Sequence, residues 1–392
     1  MQSPGHEEKV IGAVLGAVAS SKATSRAGIA RATGLARSTI GQYVDRMLSH
    51  GLLVEIPDEH SGPGRPARRL QLGQKSGVVA VVELGIGSSE IGLLDLGHRV
   101  LARATLETLQ GDRAETVSAG IASAVVDLVG GVGRRGDLRW LVLSIPSPVD
   151  AGRSMAESVS RSGHWWDGFP FVDALERDLG VPTSVENDAN LRAVAEARSA
   201  SQAGPLIYVH LSGGLGAGIV GPDGDLYRGA DGMAGDIGHL RLGRDPMRMC
   251  ACGRKGCIGE RVTLRSVLAD VGLADRPEGS GVNELISLLK SRDRVVLQRV
   301  RDYSATTGEL IAAVTNFYNP RSVVLGGEMA FLGDEVLSGV RASLYEHSLP
   351  IVSRNLSVKL SPLGSDGGLI GGGYVAAQGV IGQLSRVFAR GD

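Results

Sequence analysis

The segment Gly232-Met-Ala-Gly-Asp-Ile-Gly-His239, followed closely by Cys250-Ala-Cys-Gly-Arg-Lys-Gly-Cys257, decides the reading of this chain. The 392 residues contain three cysteines, and all three lie in the second run. Zinc takes four tetrahedral nitrogen or sulfur ligands, and a structural site uses all four. Cys250, Cys252 and Cys257 supply three, and His239 is the nearest fourth. An odd cysteine count with no partner elsewhere speaks against a disulfide framework. Burial alone gives no reason to place every cysteine in one glycine-bounded loop. Reduced thiols holding a metal fit the cytosol. The expected cofactor is one structural Zn2+ per chain.

Working outward, the length fits two or three domains, and 43% apolar content is enough for real cores. No apolar run of membrane-spanning length and no basic-then-apolar leader is evident, so the expectation is a cytoplasmic protein with no membrane partner. The net charge of −1 hides an asymmetry. Residues 1–74 carry nine Lys/Arg and six Asp/Glu, whereas the remainder carries 32 and 36. A basic head on an acidic body is the polarity of a DNA-binding module joined to a sensor.

In the head, helices are expected at 8–20, Arg26 to Thr33 and Ala36 to Ser49, the last two closed by Gly34 and Gly51. In the third, Ile40, Val44, Met47 and Leu48 follow i, i+4, i+7, i+8 and face inward. Arg37 belongs to the short turn Gly34–Ile40 that feeds this helix; Ser38, Gln42 and Arg46 fall on the open side, with Thr39 beside them. Polar side chains on the open face of the second helix of a helix-turn-helix are what major-groove readout needs. The run Leu52–Ile56, the loop Ser61–Pro66 and the run Arg69–Leu72 then form a winged hairpin. Its Gly-Arg-Pro tip can put Arg65 into a minor groove, with Arg68 and Arg69 near phosphates.

From residue 78 the texture becomes α/β. Strands are expected at Val78–Leu84, Glu90–Asp95, Val100–Leu106 and Trp140–Ile145, with helices at Ala114–Val129 and ending at Leu179. The order recurs: strands at Leu206–Leu211 and Gly218–Gly221, a helix at Arg299–Phe317, a strand at Ser322–Leu325 and a glycine-rich helix from Gly367. Two similar halves with a cleft between them place ligands at strand ends and helix N-termini.

The Gly-x-x-Gly-x-x-Gly-His and Cys-x-Cys-Gly-x-x-Gly-Cys motifs resemble those of the ROK family (repressor, open reading frame, kinase). So do Glu186-Asn187-Asp188-Ala189-Asn190, Gly213-Gly-Leu-Gly-Ala-Gly218 and Val324-Leu-Gly-Gly327. The resemblance covers roughly residues 76–385 and, with the winged head, extends to the family's transcriptional repressors of sugar metabolism. It implies a two-lobed sugar kinase/actin-like (ribonuclease H-like) body and a zinc set of His239, Cys250, Cys252 and Cys257. It implies that Asn187, Asp188, Asp236 and His239 contact a sugar. The expected domains are a winged helix-turn-helix over 1–74, a first lobe over 76–195 with a C-terminal helix over 378–392, and a second lobe over 196–377.

In family kinases the Asp matching Asp188 accepts a proton from the attacking sugar hydroxyl. Three departures point away from turnover. The phosphate loop reads Glu83-Leu84-Gly85-Ile86-Gly87-Ser88, where branched Ile86 replaces a glycine that must let phosphate approach the backbone. The family's sugar-binding Glu is Asp236, and a second family Glu is Gly259, with Glu260 one residue late. The expectation is a repressor with Asp188 as a vestigial base. It would bind a double-stranded operator as a homodimer or dimer of dimers and respond to a sugar or sugar phosphate. The alternatives are an ATP-dependent hexose kinase with an accessory head, and a regulator that has lost sugar binding.

Overall fold

A computed structural model describes residues 4–57, 68–85, 87–108, 112–134, 136–150, 168–200, 204–242, 249–250, 252–276 and 280–390. The head consists of α1 (Pro4–Ala19), α2 (Arg26–Thr33), α3 (Arg37–Ser49), β1 (Leu53–Pro57) and β2 (Arg68–Leu72). Ser25 caps α2 by accepting the Gly28 N–H at 3.0 Å, and Gly34 ends it in the left-handed region at φ 70°. Ile40, Val44 and Met47 of α3 are fully buried against Ile11, Val14 and Ile29. Burying each such side chain stabilises by about 1.5–3 kcal/mol, which is why the apolar stripe fixes which face of α3 stays open. The strands β1 and β2 pair antiparallel, from Leu53 opposite Leu72 to Pro57 opposite Arg68. The expected wing tip, with Arg65, lies outside the described residues, as does Ile86.

The first lobe contains β3 (Val78–Glu83), β4 (Ser88–Asp95), β5 (Val100–Glu107), α4 (Ala114–Gly131), β6 (Leu138–Ile145), α5 (Phe171–Leu179), β7 (Thr183–Asn187) and α6 (Asp188–Ser199). Its described strands run β5-β4-β3-β6-β7, with β3–β5 antiparallel and β3, β6 and β7 parallel. The second lobe contains β8 (Leu206–Leu211), β9 (Leu215–Val220), α7 (Leu264–Asp270), α8 (Ser280–Lys290), α9 (Arg294–Tyr318), β10 (Ser322–Gly326), α10 (Asp334–His347), α11 (Pro350–Ser353) and β11 (Ser357–Leu360). Its described strands run β11-β10-β8-β9, again an antiparallel hairpin followed by parallel strands. Parallel strands need crossover helices, and α9 and α10 supply them on the apolar face of this sheet. The chain closes with α12 (Gly367–Arg390).

Two helices join the parts. In α6, Leu191 packs with Val79, Val81 and Leu369, while Ala189 and Ala193 pack with Leu206, Tyr208 and Val220 of the other lobe. Helix α12 lies on the first sheet from its start, so a boundary at 378 falls inside an unbroken helix. Its last turn enters the head, where Phe388 shares a core with Ile11 and Val14. By length and composition alone, helix α4 is apolar enough to cross a membrane. Its Val117, Ile121 and Val125, however, pack into the first lobe's core.

Candidate sugar cleft, metal centre and DNA-facing helix

A cleft of about 300 Å³ opens between the lobes. Asn187, Asp188, His210, Asp236, His239, Glu260 and Arg265 line it, together with the Gly213-Gly214 turn. Strand β7 delivers Asn187 and Asp188 at the point where it turns into α6. Asn187 caps that helix by accepting the Asn190 N–H at 3.2 Å, and its Nδ2 donates to the Ser147 carbonyl at 3.2 Å. Both polar ends of Asn187 are thus engaged by the chain itself. Asp188 Oδ1 accepts its neighbour Ala189 N–H at 2.7 Å, while Oδ2 lies 3.7 Å from His210 Nε2. Burial holds His210 below its ordinary pKa, against the pull of Asp188, so it faces the cleft as a neutral imidazole near pH 7.

Buried Glu186 pins this turn. Its Oε1 accepts Asn190 Nδ2 at 2.9 Å, and its Oε2 accepts Arg228 Nε and Nη2 at 2.9 and 2.6 Å. Arg228 belongs to the loop after β9, so this pair clasps the two lobes at the cleft. A second ion pair lies within the first lobe. Arg192, one turn beyond Asp188 on α6, bonds Glu83 Oε1 at 2.6 Å. Burial pushes the Glu83 carboxyl up; Arg192 opposes that shift, while Glu90 and Asp188 reinforce it. Glu83 stands where the family's phosphate loop begins, and its carboxylate is taken by a side chain of the same protein.

The sulfur and nitrogen ligands converge. His239 Nδ1, Cys250 Sγ, Cys252 Sγ and Cys257 Sγ lie within 4.8 Å of one another. Cys252 and Cys257 are 3.6 Å apart, and Cys250 lies 3.5 Å from His239 Nδ1. A tetrahedral ion with bonds of about 2.3 Å to sulfur and about 2.1 Å to nitrogen spaces its ligands by about 3.6–3.8 Å. The donor set therefore fits a metal. The other ring nitrogen of His239 lies 3.9 Å from Asp236 Oδ2, the side from which a carboxylate orients a ligating histidine. Burial raises the Asp236 carboxyl above its ordinary range, and His239 opposes that.

Position 259 explains part of the departure from the family pattern. A Cβ added at Gly259 would lie 3.1 Å from the Gly238 carbonyl, tighter than ordinary contact. The loop has settled onto Gly238, and Glu260 lines the cleft one residue later. His210 and Arg265 were not singled out from the sequence. The signal for His210 was the one imidazole in the largely apolar strand Leu206–Leu211, which leads into the Ser212-Gly213-Gly214 turn.

On the head, Arg37, Ser38 and Gln42 are exposed on α3 and Thr39 is half-buried. Arg46 differs. Its guanidinium bonds Glu7, donates to the Phe388 carbonyl at 2.6 Å, and sits 4.3 Å over the Phe388 ring. Helix α12 thus engages Arg46 at the end of the face that the wheel leaves open, while the side chain stays about one-third exposed. Arg68 pairs with Glu55 at 3.2 Å and stays largely exposed.

With this geometry in view, the sequence profile of the ROK family matches residues 79–378. The chain belongs to the ROK family. Within it, a glucokinase from Halalkalibacterium halodurans is 26% identical over 313 residues, covering 76% of this chain and 94% of the kinase. A putative xylose repressor from a Caldicellulosiruptor species is 24% identical over 366 residues, covering 89% of this chain and 90% of the repressor. Among solved structures, a ROK family transcriptional regulator, a homolog of the Escherichia coli Mlc protein, superposes with a TM-score of 0.79. It is 20% identical and covers 98% of both chains. The fold is therefore the winged head on a two-lobed ROK body.

Proposed function

We propose that this ROK protein is a DNA-binding transcriptional repressor whose interlobe cleft senses a sugar or sugar phosphate. The observation that carries the reading is the Glu83–Arg192 ion pair, which lies behind the cleft one turn of α6 beyond Asp188 and engages the acid at the start of the phosphate-loop sequence, in a chain whose head presents the open polar face of α3. The kinase relative matches a shorter part of the chain than the repressor relative does, and this agrees. Magnesium held near Glu83 would have to displace Arg192 from a buried pair, and removing one partner of such a pair costs about 3–5 kcal/mol. A sugar ring, by contrast, meets Asp188, Asp236, His239 and Glu260, whose oxygens and nitrogen suit hydroxyl groups. Zn2+ on His239, Cys250, Cys252 and Cys257 has no open position for chemistry and would order the loop that presents His239.

Arg37, Ser38, Thr39 and Gln42 would read bases, while Arg68, with Arg65 of the wing, would contact phosphates or the minor groove. A palindromic operator follows from protein two-fold symmetry, so the working unit is a homodimer or dimer of dimers in the cytoplasm. Genomic fragments co-purified with the protein supply the operator. Alanine at Arg37 and Gln42 should then each weaken its retardation in a gel by about 1–3 kcal/mol. Wild-type binding by both variants would remove the assignment of the recognition helix.

A second reading, a hexose kinase with an accessory head, is favoured by Asp188, which still faces the cleft. Release of ADP over a hexose panel, abolished in Asp188→Asn, would establish it. Loss of sugar binding altogether would appear as an unchanged melting temperature with every sugar and sugar phosphate, since a bound ligand raises it by mass action.

A further inference from the structure

We propose that α12 is the transmission element between the cleft and the recognition helix. At the cleft end, Asp188 in the first turn of α6 lines the cavity, and Arg192 in the next turn holds Glu83. The start of α12 rests on this pair. A Cβ added at Gly368 would overlap the Glu83 carboxylate, and one at Gly367 would touch the Arg192 side chain at 3.4 Å. Farther along, a Cβ at Gly371 would overlap the Leu191 carbonyl, and one at Gly372 would overlap Val81. These glycines bring the α12 backbone into direct contact with α6 and β3, so α6 cannot shift without carrying α12.

At the other end, α12 belongs to the head. Its 24 residues span about 36 Å at 1.5 Å per residue. Phe388 is 5% exposed in a core with Ile40, Val44 and Met47 of α3. The Phe388 carbonyl accepts Arg46 Nη2, its ring lies under the same guanidinium, and His50 meets it edge-on at 5.0 Å. Ser385 lies against Gly12 of α1, where an added Cβ would be 3.3 Å away. One rigid helix thus touches the residue pair behind the cleft and the side chain that anchors the last turn of α3. Coupling needs such a physically continuous element whose position both sites bias. The inference relies on the proposed function only for the identity of the stimulus, and its test uses neither ligand nor DNA.

The test is amide hydrogen exchange by mass spectrometry on the full-length protein. Gly371→Ala pushes α12 off α6. It should raise exchange in the α3 peptides, Arg37–Ser49, about tenfold, while the α10 peptides of the other lobe exchange as in the wild type. Phe388→Leu loosens the head end and should raise exchange in the α6 peptides, Asp188–Ser199, because linkage is reciprocal. A folded variant whose remote peptides keep wild-type exchange overturns the proposal. Should Gly371→Ala expose every region alike, the Phe388→Leu result decides it alone.

Discussion

Arg192 and Glu83 form a buried ion pair, 2.6 Å between Nη2 and Oε1, with both side chains 14% exposed. Neither residue belongs to the His/Cys cluster, and the pair sits one turn of α6 beyond Asp188. Arg192→Met should lower stability by about 3–5 kcal/mol in urea melts, because it strands the Glu83 carboxylate against the start of α12. Glu83→Gln with Arg192→Met should recover much of that loss. A double variant as unstable as the sum of the two single ones would show that the pair does not act as a unit.

Chelation gives a second expectation. The four donor atoms draw Gly235–His239 and the loop ending at Cys257 together, and ion binding to the folded state adds directly to its stability. Elemental analysis should find about one zinc per chain, and a strong chelator should lower the melting temperature. Cys252→Ser should lose the metal and become indifferent to chelator. Stoichiometric zinc in that variant would show that Cys252 is not a ligand.

Several features of this molecule were legible in its sequence. The clustering of His239 with the three cysteines, which could hold a metal ion, was legible because short spacing leaves little conformational choice. The Ile40, Val44 and Met47 stripe oriented α3 because a helical period fixes a face. Strand β11, Ser357–Leu360, escaped because four residues carry no usable period. The contact of Arg46 with Phe388 is not legible from a helical wheel, because Phe388 comes from the opposite end of the chain. Glu83 and Arg192 were invisible as a pair for the same reason: strand β3 and helix α6 meet only in the folded protein.

Acid should weaken the fold through His98. This residue sits at φ 69° in the turn between β4 and β5, its ring 3.7 Å from that of Tyr374. Burial lowers its pKa from 6.5 to about 4, only partly opposed by Asp95. A base whose folded pKa is depressed contributes stability that is complete above the unfolded value of 6.5 and is lost as pH falls toward 4. The loss attributable to His98 is about 3 kcal/mol, and His210 acts in the same direction. Asn accepts the left-handed backbone without titrating, so His98→Asn should show a shallower fall in urea midpoint between pH 7 and about pH 4. An equally steep fall would place the acid sensitivity elsewhere.

Restoring the family's acid is the sharpest check on the cleft. Gly259→Glu supplies the carboxylate that the motif lacks, and sequence comparison alone would expect tighter sugar binding. The packing argues the opposite. The new Cβ would meet the Gly238 carbonyl at 3.1 Å, next to His239, and Glu260 already lines the same wall. Accommodating the side chain requires the Gly238–His239 segment to give way, which disturbs a candidate metal ligand, and overpacking of this kind costs about 1–3 kcal/mol. The variant should melt lower, hold zinc less firmly in a chelator titration, and bind no sugar of a hexose panel more tightly than the wild type does. A gain in sugar affinity with wild-type melting and zinc retention would mean that the loop can reopen, and that Gly259 alone separates this cleft from a kinase-like sugar site.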